Sequence, residues 1–249
     1  MDEVPQTIAR RTGPRGEVVL RRRGAGDDAV DELIVNGAFA MDSAETGSER
    51  ALAALARPGA RVLVGGLGLG YTAEAVLAER VEHVDVVEIE ETLVDWAYAG
   101  LTPRLGRVAG DARVRLWVAD VVTVLSGHER RSAAVPPTGS PVVPPTGSPT
   151  MGEASGPSGP WDLILLDIDN GPDFLIHAEN AALYRTEVLQ SALRHLTPGG
   201  LLAIWCQGVH AELRSRLEAL SSTAREDPHV VQRGRHRITY VIYTVRADA

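Results

Sequence analysis

At 249 residues, 44% of them hydrophobic and 23% charged, the chain has an ordinary globular composition, with room for one large α/β domain and a small appendage. A net charge of −8, from 25 basic and 33 acidic side chains, argues against a partner that presents a phosphate backbone. The one cysteine, Cys206, excludes an internal disulfide and a multi-cysteine metal site; in Leu201-Leu202-Ala203-Ile204-Trp205-Cys206 it reads as a small buried apolar residue, and no metal is expected.

The start, Met1-Asp2-Glu3-Val4-Pro5, has neither a basic segment nor an apolar run, and no stretch reaches membrane-spanning length. A cytoplasmic protein without nucleic-acid or membrane partners is therefore the expectation.

Residues 1–42 carry short β-like runs, Glu17-Val18-Val19-Leu20 and Glu32-Leu33-Ile34-Val35, the second followed by Asn36-Gly37 and Ala38-Phe39-Ala40-Met41. Asn-Gly between apolar runs signals a hairpin, so a small N-terminal β-appendage is predicted. Its arginines (Arg10, Arg11, Arg15, Arg21, Arg22, Arg23) read as the solvated edge of strands rather than as an anion site.

Residues 43–56 read as a helix that stops at Arg57-Pro58-Gly59. Strands at 61–65, 84–88, 113–118, 161–167 and 200–206 then alternate with helices at 71–80, 91–99, 121–130, 181–196 and 210–220. Segments 229–232 and 237–245 close the chain as an antiparallel pair. Such βα repetition with continuously apolar strands predicts a parallel sheet covered on both faces, formed by residues 43–249.

Segment 132–160 interrupts the alternation. It repeats VPPTGSP at 135–141 and 143–149, and Pro, Gly, Ser and Thr without apolar anchors predict a disordered insertion. Lying between a helix end and a strand start, it should emerge opposite the strand tips where ligands bind.

The informative turn is Gly65-Gly66-Leu67-Gly68-Leu69-Gly70-Tyr71-Thr72, between the first strand of the repeat and its helix. A dinucleotide fingerprint needs a third small residue where this chain has Tyr71, which disfavours NAD. The GxGxG of Gly66, Gly68 and Gly70 is instead the pattern of S-adenosylmethionine-binding class I folds, although such a turn can also be a packing device.

Three carboxylates at successive strand ends add to it. Glu88 lies about twenty residues beyond the glycine turn, which suits a ribose-diol acceptor. Asp120 falls where adenine amino donors would lie, and reads equally well as a helix N-cap. Asp167 opens Asp167-Ile168-Asp169-Asn170-Gly171-Pro172 beside the first strand, where a carboxylate can accept a proton from a nucleophilic amine. Asp173, His177 and Glu179 downstream read as solvated.

Residues 33–207 resemble the spermidine synthase (polyamine aminopropyltransferase) family. Leu33-Ile34-Val35-Asn36-Gly37 is similar to its N-terminal hairpin, Gly66 to Gly70 to its glycine loop, and Val87-Glu88-Ile89-Glu90 to its ribose-binding VEID. Ala119-Asp120 stands where GD contacts adenine, and Asp167 where the catalytic aspartate of DxxDP stands. Leu183-Tyr184 and Leu196-Thr197-Pro198-Gly199-Gly200 resemble the following helix and the LkPGG turn. The resemblance implies a Rossmann-like class I methyltransferase fold with a mostly parallel seven-stranded sheet and a β-hairpin appendage. It also implies self-association.

Departures from the family pattern set the choice of donor. The family's GGGDGG loop places an aspartate, which binds the aminopropyl amine of decarboxylated S-adenosylmethionine, where this chain has Leu69. The second aspartate of DxxDP falls on Asn170, with Asp169 adjacent, and around Ser48-Glu49-Arg50 the family's pocket tyrosine is absent. An aliphatic residue at 69 and an aromatic at 71 resemble the loop of plant putrescine N-methyltransferases.

The expectation is thus a methyltransferase acting on an amine of a small molecule. Gly66, Gly68, Leu69, Gly70, Glu88 and Asp120 would hold S-adenosylmethionine, Asp167 would be catalytic, and Asp169, Asn170 and Tyr71 would meet the substrate. One alternative is aminopropyl transfer from decarboxylated S-adenosylmethionine, with Asp169 compensating for Leu69. A second is a non-catalytic nucleoside-binding module.

Overall fold

A computed structural model describes residues 4–126, 156–168, 170–233 and 236–248. The chain opens with four strands, β1 (Gln6–Gly13), β2 (Gly16–Arg23), β3 (Val30–Val35) and β4 (Ala38–Asp42), which form an antiparallel sheet in that order. The Asn36-Gly37 turn was legible: Val35 pairs with Ala38, and both turn residues take left-handed backbone angles. β1 was not anticipated, because it is a polar edge strand with little buried apolar surface. The arginines meet acids of the same sheet. Arg21 and Arg22 pair with Glu32 and Asp31 directly across β2 and β3, and Arg23 also reaches Glu32.

The main domain follows as α1 (Gly47–Ala53), β5 (Arg61–Gly65), α2 (Tyr71–Ala78), β6 (His83–Glu88), α3 (Glu91–Tyr98), α4 (Pro103–Gly110), β7 (Val114–Val118) and α5 (Val121–Ser126). It continues with β8 (Trp161–Leu166), a 3-10 helix (Ala178–Tyr184), α6 (Thr186–Arg194), β9 (Leu196–Gln207), α7 (Ala211–Leu220), β10 (Arg225–Arg233) and β11 (His236–Arg246).

Seven strands form one sheet in the order β10-β11-β9-β8-β5-β6-β7, in which β5 to β9 run parallel and β11 lies antiparallel to β9. Alternate residues of the central strands feed two cores. Val62, Val64, Leu163 and Leu165 pack with α1 to α4 and the N-terminal sheet, whereas Leu63, Ile164 and Leu166 pack with α5, α6 and α7. Because β6 and β8 leave opposite sides of β5, a crevice opens at the tips of these strands.

Several boundaries differ from the sequence expectation. The first helix is shorter, and the expected helix at 181–196 is a 3-10 turn followed by α6. α4 went unpredicted because glycines at 106 and 110 mask it, although Thr102 caps it by accepting the Leu105 N–H at 3.2 Å and Pro103 opens it. The Thr197-Pro198-Gly199-Gly200 stretch is an irregularity within β9, which shifts the register against β8 between Leu196 and Leu201. The repeated Pro-rich segment lies outside the described residues, except for 156–160 leading into β8. Among the described residues no helix is long and apolar enough to cross a membrane.

Candidate active site

The turn after β5 is shaped by what lies against it. Gly66 has φ 94°, and a Cβ there would come 2.2 Å from the Asp167 carbonyl oxygen. At Gly68, with φ 49°, a Cβ would meet Met41 Sδ at 2.6 Å. The turn is thus wedged between the tip of β8 and the last strand of the N-terminal sheet.

Its main-chain donors are used within the protein. Gly66 N–H donates to Val87 O at 2.8 Å, Leu67 N–H to Glu88 Oε2 at 2.8 Å and Gly70 N–H to Leu67 O at 2.8 Å. Gly68 N–H also bonds Glu88, and Leu69 N–H donates to Met41 Sδ at 3.3 Å. From Gly66 to Gly70 no amide is left for an anionic ligand group.

Beside the turn lies an open-mouthed cavity. Of the residues expected at the site, Gly66, Gly68, Tyr71, Glu88, Asp120, Asp167 and Asn170 line it. Leu69 and Gly70 do not. The placing of Leu69 corrects the sequence expectation: its side chain is 3% exposed and packs in the core, so it forms no wall beside a ligand's tail. Gly70 faces away too, towards Leu105 and Val108 of α4. Asp169 lies outside the described residues.

Asp167 sits at the tip of β8. Burial pushes its carboxyl above the usual range, and Thr72 Oγ1, donating to Oδ2 at 2.5 Å, restrains the rise. Glu49 of α1 lines the same cavity, 8% exposed, with Oε2 accepting from Ser48 Oγ at 2.7 Å. Burial first, and then the Asp167 charge, push Glu49 up to about 7. Sequence reasoning passed over Glu49, reading that stretch only for a missing tyrosine. No local pattern marks it, because α1 meets the tip of β8 only in the folded chain.

At the other end, Glu88 is fully buried, and desolvation raises its pKa against the amides that bond it. Asp120 caps α5, its Oδ1 accepting the Val122 N–H at 2.8 Å, so here the capping role and a place on the cavity wall coincide. Tyr71 lines the cavity while Arg104, paired with Glu74, stacks 3.7 Å from its ring centroid. His177, expected in solvent, is turned inward against Glu90 at 3.2 Å. Asp173 is exposed as expected, yet it bonds His210 Nδ1 at 2.9 Å and so pins the loop after β8. Asn170 O accepts the Gln207 N–H at 2.9 Å in the same loop.

Cavity chemistry is therefore one-sided. Glu49, Glu88, Glu90, Asp120 and Asp167 line it, and among the described lining residues no arginine balances them. Such a site favours a cation and disfavours a free carboxylate.

No protein-family model and no curated protein sequence matches the chain. Solved structures do. A spermidine synthase described in complex with the transition state analogue AdoDATO matches with a TM-score of 0.67 at 14% identity, covering 98% of this chain and 75% of that one. The spermidine synthase of Thermotoga maritima matches with a TM-score of 0.66 at 14% identity, covering 98% and 74%. With its α/β sheet order and antiparallel N-terminal sheet, the chain has a spermidine synthase-like fold.

Proposed function

We propose that this protein transfers an aminopropyl group from decarboxylated S-adenosylmethionine to an amine of a small molecule. The observation that carries the reading is the pair of carboxylates, buried Glu49 and half-buried Asp167, on a cavity wall without an arginine. The donor's tail ends in an ammonium when decarboxylated, and such a tail meets attraction there. Intact S-adenosylmethionine adds a carboxylate, which finds the turn's amides already bonded and acids around it. The preference for methyl transfer rested on Leu69 beside that tail, and with Leu69 in the core that support is gone.

In this reading Glu88 and Asp120, which line the cavity, hold the nucleoside of the donor, and Gly66 and Gly68 pass its sulfur. The donor supplies a sulfonium whose carbon–sulfur bond is open to attack. Asp167, oriented by Thr72, aligns the acceptor amine and takes its proton as the new carbon–nitrogen bond forms, and 5′-methylthioadenosine departs with the bonding pair. Asn170 and Tyr71 border the acceptor's path.

The test is turnover with either donor and a panel of primary amines, followed by mass spectrometry. Formation of 5′-methylthioadenosine from the decarboxylated donor supports the reading. Formation of S-adenosylhomocysteine would establish methyl transfer instead, and inertness with both donors would point to a non-catalytic module.

A further inference from the structure

The tips of the parallel strands grade from apolar to acidic across the sheet. Taken in the order β9, β8, β5, β6 and β7, they lead to Trp205, Asp167, Gly66, Glu88 and Asp120 on the cavity wall. Register places Trp205: Ile204 pairs with Leu166, so the next residue of β9 stands beside Asp167. The glycine turn lies on the other side, where the Asp167 N–H donates to Gly65 O at 2.9 Å. Asp167 therefore marks the boundary between two differently built parts of the cavity.

On the β6 and β7 side the wall is acidic, with Glu88, Glu90 and Asp120. On the other side Trp205 is half-buried, and its ring packs 5.0 Å from that of Tyr240, which fixes it as a flat wall. The N-terminal sheet adds Leu33, Val35, Ala40 and Met41, and the loop after β8 adds Ile176, all without charge.

A count of charges gives this asymmetry a meaning. The donor's ammonium tail and the reacting nitrogen of the acceptor engage Glu49 and Asp167. On the Trp205 side, no carboxylate among the described lining residues is left for another ammonium, and Asn170 is a neutral amide. An ammonium pressed unpaired against an apolar wall is costly. Trp205 adds to that cost, because its Nε1–H is buried without an acceptor in the protein and an ammonium, itself only a donor, offers none.

We propose that the acceptor is a primary monoamine with an apolar tail, seated against Trp205 and the N-terminal sheet, and not a diamine or polyamine. The proposal rests on the reading that the cavity moves a group from an adenosyl donor to an amine, and it names the class of amine.

Steady-state turnover with pentylamine and 1,4-diaminobutane tests it, since the two differ only in a terminal methyl against a terminal ammonium. At saturating donor, kcat/KM should favour pentylamine by about 10- to 100-fold. Trp205→Ala, with its fold checked by a thermal melt, should raise KM for 2-phenylethylamine by about 10-fold and leave donor affinity by calorimetry unchanged. Equal rates, preference for the diamine, or an unchanged KM in the folded variant would overturn the proposal and leave the donor reading in place. Preference for pentylamine with intact S-adenosylmethionine alone would overturn the donor reading and support the monoamine. No product from any amine with either donor would overturn both.

Discussion

The carbonyl oxygen of Asp167 occupies the space that a side chain on Gly66 would need: a Cβ there would lie 2.2 Å from it. The glycine turn and the tip of β8 at Asp167 are thus packed main chain to main chain, and neither can shift without the other. Gly66→Ala should destabilise the protein by about 3 kcal/mol or more, combining overpacking with a φ that L-residues resist, and should abolish turnover. Gly68→Ala meets the flexible end of Met41 and should cost only about 1 kcal/mol. Urea titrations of the two variants check the ranking.

Thr72 Oγ1 donates to Asp167 Oδ2 at 2.5 Å and favours the ionised carboxylate. Thr72→Val keeps the shape and removes the donor, so the Asp167 carboxyl rises further. The acid limb of the rate–pH profile should move to higher pH by about one unit or more, with little change in donor affinity. A limb that stays in place would show that Asp167 is not the group it reports.

Glu49 has a stability signature. Its folded value of about 7 lies above the ordinary 4.5, so ionisation opposes folding. The penalty is absent below the unfolded value, grows across the interval from 4.5 to 7, and is complete above it. Glu49→Gln should therefore stabilise the protein at about pH 8 by up to roughly 3 kcal/mol more than at about pH 4, read from denaturant midpoints. The same variant should weaken binding of the decarboxylated donor.

His210 bonds Asp173 at 2.9 Å, and its ring lies against Gly171, where a Cβ would come within 2.6 Å of Nε2. Its backbone N–H donates to Tyr243 OH at 2.7 Å, which ties the loop after β8, through His210, to β11. His210→Phe should raise KM for the acceptor amine and lower kcat by roughly 10- to 100-fold through misplacement of the loop. His210→Asn, which can still donate to Asp173, should recover part of both, and donor affinity should be unchanged in either variant.

Much of this arrangement could be read from the sequence because strand ends are periodic features. Apolar runs ending in Glu88, Asp120 and Asp167 announce the strand tips that line the cavity, and Asn36-Gly37 announces a hairpin. Leu69 could not be read that way. A motif gives its place in the turn but not its direction, and left-handed angles at Gly68 and Gly70 turn it into the core. Glu49 was hidden for another reason, since nothing local relates a short helix after the N-terminal sheet to the tip of β8. His177 looked solvated because a loop histidine carries no periodicity to show that it folds inward against Glu90.

The central claim is that the cavity selects a donor whose tail carries an ammonium and no carboxylate. Calorimetric titration with decarboxylated and with intact S-adenosylmethionine, under identical buffer and salt, tests it most directly. Binding of the decarboxylated form tighter by about 10-fold or more is predicted. Equal affinity, or tighter binding of the intact form, would contradict it.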